Sequence, residues 1–369
     1  MEKFFLVCIS ILLLASCNTS NTNVNEDVDW QKYPISNLVN PEKINVSGLD
    51  FLDEQTLYLE DDSFLFCKPT FAKTGELHLY KLKDDTLTWM KEMIRVGAGP
   101  WETLGSSDVR RGTAGDVFVG APSYSPKAFR LSSLADSVLF DKQKWENHKL
   151  PSGVAYISRI LPVVAKQFLE TKSGDFPSFL ASYALGDSAY SYIPFPYPDD
   201  EYNNISRTMA YDGTIEKHPE ENKFLYSCTA GKYMFVFELK DGEMQNLRYL
   251  YDNPPKYNLA KDGTMITSLT NETFLGGKVY VTDRYIYVAM NDFKWEDFIR
   301  RTIEDRNGGF PNWFNNKIYV YDWDANPVKS FQLDLYVADF VVDSQDKHIY
   351  AITKDVDTDD VTLVKYSMH

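Results

Sequence analysis

The chain has 369 residues, of which 15% are aromatic and 25% are charged, and its formal net charge at pH 7 is −15. This length suits one large domain or two ordinary ones, and the aromatic content favours β-structure over a helical bundle. The negative charge, with no basic patch, argues against nucleic acid as a partner, because its phosphates would be repelled.

The N-terminus has the anatomy of a secretory signal, a charged start followed by an apolar run from Phe4 to Ala15. The run is too short to span a bilayer, which takes roughly 20 residues. The sequence Leu14-Ala15-Ser16-Cys17 resembles the lipobox of bacterial lipoproteins, in which the cysteine receives a diacylglycerol and becomes the new N-terminus. We therefore expect residues 1–16 to be removed as a signal peptide and Cys17 to carry the lipid that anchors the protein to the membrane. The alternative is an ordinary secreted protein with a cysteine at this position.

A polar segment follows the cysteine. Residues 18–29 have almost no apolar side chains and cannot offset the entropy cost of folding, so we expect a flexible tether over residues 17–39. The first acidic residue after Cys17 is Glu26, whereas surface-exported lipoproteins of Bacteroides-type bacteria commonly carry acidic residues directly after the lipidated cysteine. This difference favours the periplasmic face of the outer membrane.

Short apolar runs with a period of two recur through the rest of the chain and predict β-strands. Clear examples are residues 77–82, 116–119, 233–239 and 317–321. Between the runs lie clusters of Asp, Asn, Gly and Pro that favour tight turns, such as Lys240-Asp241-Gly242.

The segment 277–333 shows the repeating unit most fully, with runs that predict a four-stranded meander, and a similar order appears in residues 223–251. Many four-stranded units of roughly 40 to 50 residues are typical of a β-propeller. We predict an all-β fold, a six-bladed β-propeller of four-stranded antiparallel blades over residues 40–369.

Three stretches of the chain resemble a known family. Residues 94–102, Ile-Arg-Val-Gly-Ala-Gly-Pro-Trp-Glu, look like the Arg-x-Gly-x-Gly-Pro-x-Glu signature of the TolB-like six-bladed β-propeller lipoproteins of Bacteroides-type bacteria. Residues 221–239 are similar to a mid-chain blade of that family, and residues 285–324 to its fifth-to-sixth-blade pattern. The resemblance implies a propeller fold and an envelope location, and it implies no particular activity.

The chain departs from this family pattern at residues 291–316, where we expect an insertion. Within it, apolar side chains and a threonine recur at helical spacing, and Gly308-Gly309 follows them. These residues are Trp295, Phe298, Ile299, Thr302 and Ile303. The spacing predicts a short helix that caps one rim of the propeller, over the mouth of the channel.

Two cysteines, Cys67 and Cys228, remain in the folded body, each in an apolar, strand-like stretch. They are interpreted as two buried thiols that behave as small hydrophobic residues. A disulfide between them is the alternative, since an envelope compartment permits one.

The segment Gly97-Ala98-Gly99 does not fit a dinucleotide-binding loop, because Glu102 stands where the third glycine would be and Pro100 removes the helix start. A tight turn is the favoured interpretation. The functional alternative presents Arg95 and Glu102 near the channel as ligand-binding groups, with a salt bridge between them. Together with Arg284 and Trp295, they are our four candidate ligand-binding residues.

The sequence predicts no catalytic residue, metal or cofactor. Residues 355–360 and 322–326 alternate carboxylates like calcium loops but break that pattern, so we interpret both as hairpin turns. The five histidines are scattered, and no nucleophile motif or P-loop is present.

Two surface features complete the predictions. The aromatic run 190–198 could offer flat faces to a sugar or a peptide, but we favour a proline-stiffened link between blades with its rings in the core. Thr86, Ser137 and Ser188 lie in Asp-Ser/Thr-apolar triplets that resemble the O-glycosylation sites of Bacteroides-type bacteria.

From these features we expect a lipid-anchored, non-catalytic module that binds an envelope protein, a peptide or a glycan. The alternative is a propeller-type hydrolase, lyase or lactonase with a carboxylate or metal site in the central channel. A third alternative is a purely structural envelope protein.

Overall fold

The computed structural model of the protein describes residues 28–47, 54–69, 77–103, 108–112, 115–121, 127–149, 157–164, 167–172, 175–184, 190–198, 203–263, 265–304, 315–354 and 361–368. These residues form 28 β-strands, three α-helices and two 3-10 turns. The helices are α1 (Asp136–Leu139), α2 (Asn204–Ala210) and α3 (Trp295–Glu304), and the 3-10 turns are Trp30–Lys32 and Lys142–Lys144.

The strands follow one another along the chain with short connections. The first twelve are β1 (Ile35–Leu38), β2 (Glu42–Lys43), β3 (Asn45–Ser47), β4 (Glu54–Glu60), β5 (Phe64–Pro69), β6 (Leu77–Lys83), β7 (Thr86–Val96), β8 (Glu102–Thr103), β9 (Asp108–Arg111), β10 (Val117–Ala121), β11 (Lys127–Leu131) and β12 (Glu146–Lys149). The next eight are β13 (Ile157–Val164), β14 (Gln167–Lys172), β15 (Leu180–Ala184), β16 (Ser191–Ile193), β17 (Gly213–Lys217), β18 (Lys223–Cys228), β19 (Lys232–Lys240) and β20 (Glu243–Asn253). The last eight are β21 (Tyr257–Leu259), β22 (Ile266–Leu269), β23 (Lys278–Val281), β24 (Tyr285–Ala289), β25 (Asn315–Asp322), β26 (Pro327–Val342), β27 (His348–Lys354) and β28 (Val361–Ser367).

Strand pairing groups these elements into six antiparallel blades, which confirms the predicted propeller. Blades 1 to 4 are β4–β7, β9–β12, β13–β16 and β17–β20, and a separate hairpin, β21–β22, precedes blade 5. Blade 5 contains β23, β24, β25 and the first part of β26. The 16-residue strand β26 then continues into blade 6, where it pairs with β27, and β28 follows.

The N-terminal segment closes the ring of blades. Strand β2 pairs with β28 as the outer strand of blade 6, and β3 pairs in parallel with β7 of blade 1. Strand β1 pairs in parallel with β26. Early and late strands therefore share a sheet, which removes a free sheet edge between the two ends of the propeller.

This pairing corrects the predicted tether. A flexible segment over residues 17–39 is wrong for residues 28–39, because Trp30 and β1 pack on blade 5. The ring of Trp30 lies 4.7 Å from that of Tyr319, centroid to centroid, and meets Tyr321 edge-on. The burial of this aromatic side chain and the new ladder hydrogen bonds offset the entropy cost that the polar sequence alone could not. Residues 1–27, which include the predicted signal peptide and Cys17, lie outside the described residues.

The core lies between neighbouring blades and is rich in tyrosine. Several of the largest fully buried side chains are tyrosines, and the hydroxyl of one of them, Tyr226, donates to Tyr211 O at 2.7 Å. In the segment 190–198, Phe195 is buried in this core and Tyr197 packs against it, while Tyr192 is 37% exposed. The structure thus supports a link between blades that holds two of its rings in the core.

The two body cysteines do not form a disulfide. Both are buried and free, with Cys67 in blade 1 and Cys228 in blade 4, inside different hydrophobic clusters. Burial raises the pKa of the Cys228 thiol to about 12, so the thiol stays protonated and donates to Ala210 O and Asp212 O. The blades hold these two sulfur atoms apart, and the buried-thiol interpretation describes them.

The predicted insertion does contain a helix, α3. Trp295 stacks on Phe298 with ring centroids 5.1 Å apart, and Ile299 is 38% exposed. The side chains of Thr302 and Ile303 lie outside the described residues. Within the described ranges, no helix is both long and apolar enough to cross a membrane.

Gly276 allows two blades to approach closely, and its replacement by alanine is expected to destabilise the protein by about 2 kcal/mol. A Cβ at this position would lie 2.4 Å from Thr229 O and 2.6 Å from Cys228 O, both backbone atoms that cannot rotate away. Urea denaturation of Gly276→Ala and of a control, Gly242→Ala, tests this. Gly242 has positive φ, but a Cβ added there would have no neighbouring atom within 4 Å, so its replacement should cost about 1 kcal/mol through backbone strain alone. Equal losses in the two variants would contradict the close approach.

Candidate functional site in the central channel

A cavity of about 410 Å³ runs along the centre of the ring. The innermost strands of five blades, β4, β9, β17, β23 and the second part of β26, supply most of its lining. The first strand of a blade faces the axis, so residues far apart in the sequence meet in this channel.

Five charged side chains, which we call the Glu60 cluster, lie at one end of the channel, and all but Asp61 line the cavity. Its members are Glu60, Asp61, Arg110, Arg111 and Glu216, contributed by blades 1, 2 and 4. One nitrogen of Arg110, Nη1, lies 2.9 Å from both carboxylate oxygens of Glu216, and both side chains are largely buried. The more exposed Arg111 lies 3.1 Å from Asp61 Oδ1. Each guanidinium group therefore has an ion pair within the cluster.

Glu60 is the carboxyl of the cluster with the longest ion pair. Glu60 is 7% exposed and lines the cavity, and among the described side chains its nearest cation is Arg111, with Nε at 4.0 Å. Within the described part of the chain, no hydrogen bond reaches its carboxyl oxygens. Burial raises the pKa of Glu60 from 4.5 to about 7, while Arg111 and Arg110 act in the opposite direction and Asp61 adds to the rise.

The other end of the channel carries a second unsatisfied acceptor. Asn291 is 7% exposed and lines the cavity, and its Nδ2 donates to Gly276 O at 2.8 Å. Its Oδ1 is buried and has no hydrogen-bond partner among the described residues. Asn315 also lines the cavity, so both ends of the predicted insertion reach the channel. A buried acceptor without a donor is costly, which indicates a place where a ligand or water donates.

Three further polar side chains of the lining have structural roles. Asp339 accepts hydrogen bonds from the backbone N–H groups of Leu57, at 3.0 Å, and of Phe340, which fastens blade 6 to blade 1. The hydroxyl of Tyr280 lies 3.5 Å from Leu59 O, and burial raises its pKa.

His218 is the third of these side chains. Its Nδ1 accepts from the N–H groups of Glu220 and Glu221, at 3.0 and 2.9 Å, and its ring packs on Trp323. Burial lowers the pKa of His218. Because its acceptor nitrogen is already occupied, His218 is not placed to take a proton from a ligand in the channel.

None of the four ligand-binding candidates from the sequence lines the cavity. Arg95 pairs with Glu92, Nε to Oε1 at 3.1 Å, and does not form the salt bridge to Glu102 that we considered. The carboxylate of Glu102 folds back into the glycine turn, where its Oε2 accepts from Gly99 N at 2.8 Å. A Cβ on Gly97 would overlap that carboxylate, so the glycines of the signature leave room for it. Ligand binding by Arg95 and Glu102 stays a prediction.

Arg284 fastens blade 5 to a turn of blade 6. Its Nε donates to Asp346 Oδ2 at 2.8 Å and its Nη2 to Gln345 O at 2.7 Å. Asp346 also accepts from the hydroxyl of Tyr287 at 2.9 Å. Trp295 lies at the start of α3, stacked on Phe298. Ligand binding by Arg284 and Trp295 also stays a prediction.

The calcium-like segment 322–326 forms the turn between β25 and β26. Asp322 Oδ1 accepts from the N–H groups of Asp324 and Asn326, each at 2.9 Å. Residues 355–360 lie outside the described residues. In the ranges that the structure covers, no group of three or more His, Cys, Asp or Glu side chains is placed to hold a metal ion.

The predicted O-glycosylation sites differ in their positions. Ser137 is exposed in α1, Thr86 is half-buried at the start of β7, and Ser188 lies outside the described residues. If these sites are used, the intact mass of the native protein will exceed that of the lipidated chain by glycan increments. A mass equal to that of the bare lipoprotein contradicts the prediction.

Sequence reasoning missed the channel residues Glu60, Arg110, Arg111, Glu216 and Asn291. A signal for four of them, all except Asn291, exists, because each is a charged residue inside or at the end of the first strand of a blade. Glu60 closes the apolar run at 57–59, and Arg110-Arg111 interrupts β9. A charge in a strand at the axis of a propeller is costly unless it is paired or has a ligand.

Comparisons with known proteins agree with this architecture. The profile of the family described as TolB-like 6-blade propeller-like matches residues 59–345. A crystal structure of a member of the duf4221 family from Bacteroides vulgatus is similar over 86% of this chain and 94% of its own, with 14% identity and a TM-score of 0.50. The β-propeller domain of Myceliophteria thermophila Cps50 (Swd1) gives 9% identity and a TM-score of 0.45, covering 87% of this chain and 99% of its own. No curated protein matches the sequence. Because the family profile covers well over half of its residues, the chain belongs to the TolB-like six-bladed propeller family.

Proposed function

We propose that the protein is a lipid-anchored propeller of the cell envelope that binds a ligand in its central channel and performs no chemistry on it. The observation that carries this proposal is the pair of buried polar side chains that line the channel, Glu60, whose carboxylate has only a 4.0 Å ion pair to Arg111, and Asn291, whose Oδ1 has no hydrogen-bond partner among the described residues. A concave site with a few convergent polar groups is the usual form of a ligand pocket. The family supports a binding or interaction module in the periplasm or envelope.

The lipid anchor rests on the lipobox resemblance at Cys17 and on the family. Replacement of Cys17 by serine is expected to abolish incorporation of radiolabelled palmitate and to move the protein from the membrane fraction to the soluble fraction. Cys67→Ser is the matched control, since that thiol is buried in blade 1 and should not affect lipidation. Unchanged membrane association of Cys17→Ser would contradict the anchor.

Affinity selection tests channel binding. The wild-type protein is mixed with compounds extracted from the envelope of the cells that make it, and retained compounds are identified by mass spectrometry. A variant with a blocked channel, Thr214→Trp, is compared with Thr267→Trp, because Thr214 lines the cavity and Thr267 lies exposed on β22. We expect a compound that is retained by the wild type and by Thr267→Trp and lost by Thr214→Trp. Equal retention by all three proteins, or none by any, contradicts the proposal.

One observation favours the enzymatic alternative. A carboxyl with a pKa of about 7 in a cavity suits a general acid, and Glu60 has both properties. The same experiment separates the two functions, because an enzyme converts the retained compound and a binding module releases it with its mass unchanged. A new mass that depends on Glu60 would establish the enzyme.

A further inference from the structure

The charge balance of the Glu60 cluster identifies the kind of ligand that the channel takes. The cluster contains three carboxyl groups and two guanidinium groups, and each guanidinium has a closer partner than Glu60. Arg110 Nη1 is 2.9 Å from Glu216 and Arg111 Nη2 is 3.1 Å from Asp61, whereas Glu60 is 4.0 Å from Arg111. When Glu60 ionises, the cluster therefore carries one negative charge that no further cation among the described side chains balances.

The two lysines of the lining do not supply the missing cation. Lys217 Nζ donates to His218 O at 2.8 Å, and Lys278 is exposed two residues before Tyr280. Among the described residues, the charges that act on Glu60 are those of Arg111, Asp61 and Arg110. A buried carboxylate is stable only if a cation or hydrogen-bond donors reach it.

We propose that the channel binds a primary alkylammonium group, seated on the carboxylate of Glu60. This inference rests on the proposed binding function and names its ligand class. An ammonium group is compact and carries three donors, so it can enter a narrow channel and satisfy a carboxylate that lacks donors. The net charge of −15 adds a long-range attraction for cations.

Asn291 supplies a second contact further along the channel. Its amide is hydrogen-bonded to Gly276, and Tyr280, beside Glu60, lies four residues further along the same strand path. At about 3.3 Å per residue, the two acceptors are separated by roughly 13 Å along the axis. Both acceptors, the Glu60 carboxylate and Asn291 Oδ1, require a hydrogen-bond donor. The ligand is therefore a slim, extended chain with an ammonium group at one end and an N–H or O–H group further along. The lysine side chain of a peptide and a free linear amine share this chemistry.

The test measures binding of two cationic probes by isothermal titration calorimetry, each with a neutral partner of similar shape. The probes are n-butylammonium, compared with n-butanol, and acetyl-Gly-Lys-Gly-amide, compared with the same peptide containing norleucine. We expect the cationic probes to bind and the neutral compounds not to bind. Binding of the lysine peptide indicates a peptide side chain as the source, and binding of n-butylammonium alone indicates a free amine.

The pH dependence and two variants connect the binding to Glu60. With a pKa of about 7, Glu60 is about one-tenth ionised at pH 6 and about nine-tenths ionised at pH 8, while a lysine ammonium stays charged. Affinity should therefore rise about tenfold between these pH values. Glu60→Gln should weaken binding at pH 8 at least about tenfold and remove the pH dependence. Glu243→Gln, an exposed site with the same charge change, should bind like the wild type.

Two outcomes would overturn the ammonium site, and affinity selection then decides separately whether the proposed binding function also fails. Equal affinity of the cationic and neutral probes, or unchanged affinity in Glu60→Gln, would exclude an ammonium site at Glu60. If affinity selection still returned a compound that depends on an open channel, the binding function would stand with a ligand of another class. If affinity selection returned no such compound and neither cationic probe bound, both proposals would fail.

Discussion

Replacement of Glu60 by glutamine is expected to stabilise the protein at pH 8 by about 3 kcal/mol and to change its stability little at pH 4. In the folded protein, burial holds the pKa of Glu60 at about 7, above its ordinary value of 4.5. Between pH 4.5 and pH 7, the unfolded chain releases the Glu60 proton whereas the folded chain retains it. The free energy of unfolding of the wild-type protein therefore falls as the pH rises through this range. The loss is complete above pH 7. Glutamine does not ionise and avoids this cost.

Urea denaturation of the wild type and Glu60→Gln at pH 4, 6 and 8 measures the effect. The difference between the two proteins removes the contributions of all other titrating groups that the substitution does not affect. Glu243→Gln is the control for a change in net charge and should differ from the wild type by less than about 0.5 kcal/mol at each pH. A difference between wild type and Glu60→Gln that does not vary with pH would show that Glu60 titrates normally.

A stabilising substitution at a channel residue is also typical of a functional site, where stability is given up for binding.

Replacement of Glu216 by glutamine should have the opposite sign and destabilise the protein by about 3 kcal/mol. Glu216 accepts two contacts from Nη1 of Arg110, which is 9% exposed, so the substitution removes a carboxylate charge that balances a buried guanidinium. Because the pair joins blades 2 and 4, its loss should also loosen the channel wall.

Denaturation with urea at pH 7 compares this variant with Asp61→Asn. Asp61 and Arg111 are about half-exposed, so breaking their pair should cost less than about 1 kcal/mol. The double variant Arg110→Met, Glu216→Leu should recover most of the stability lost by Glu216→Gln, since it removes both buried charges. If Glu216→Gln and Asp61→Asn lose the same amount, the Arg110–Glu216 pair is more solvated than the structure indicates.

Much of the fold can be predicted from the sequence, because a local pattern of alternating apolar residues indicates each strand. Alternating runs such as 77–82 and 233–239 become β6 and β19, and Asp241-Gly242 forms the left-handed turn after β19. The closure of the ring could not be predicted in this way. Strand β2 is two residues long, and the polar sequence before it gives no sign that Trp30 will pack against Tyr319.

The candidate site was less accessible to sequence reasoning for a topological reason. Glu60 and Glu216 are separated by more than two blades along the chain, and no spacing rule connects them. The motif that did stand out, Arg95 to Glu102, has a local use, because the Glu102 carboxylate fills the space above Gly97 and Gly99. A signature can therefore mark a turn that the fold needs, while the binding groups come from isolated charges at the axis.

The central claim is that the channel is the ligand-binding site, and a crystal structure with the compound returned by affinity selection tests it most directly. We expect electron density inside the cavity, with a donor group of the compound within hydrogen-bond distance of the Glu60 carboxylate and a second donor near Asn291 Oδ1. Density for the compound on the outer faces of the blades or on a rim, with the channel filled only by water, would contradict the claim.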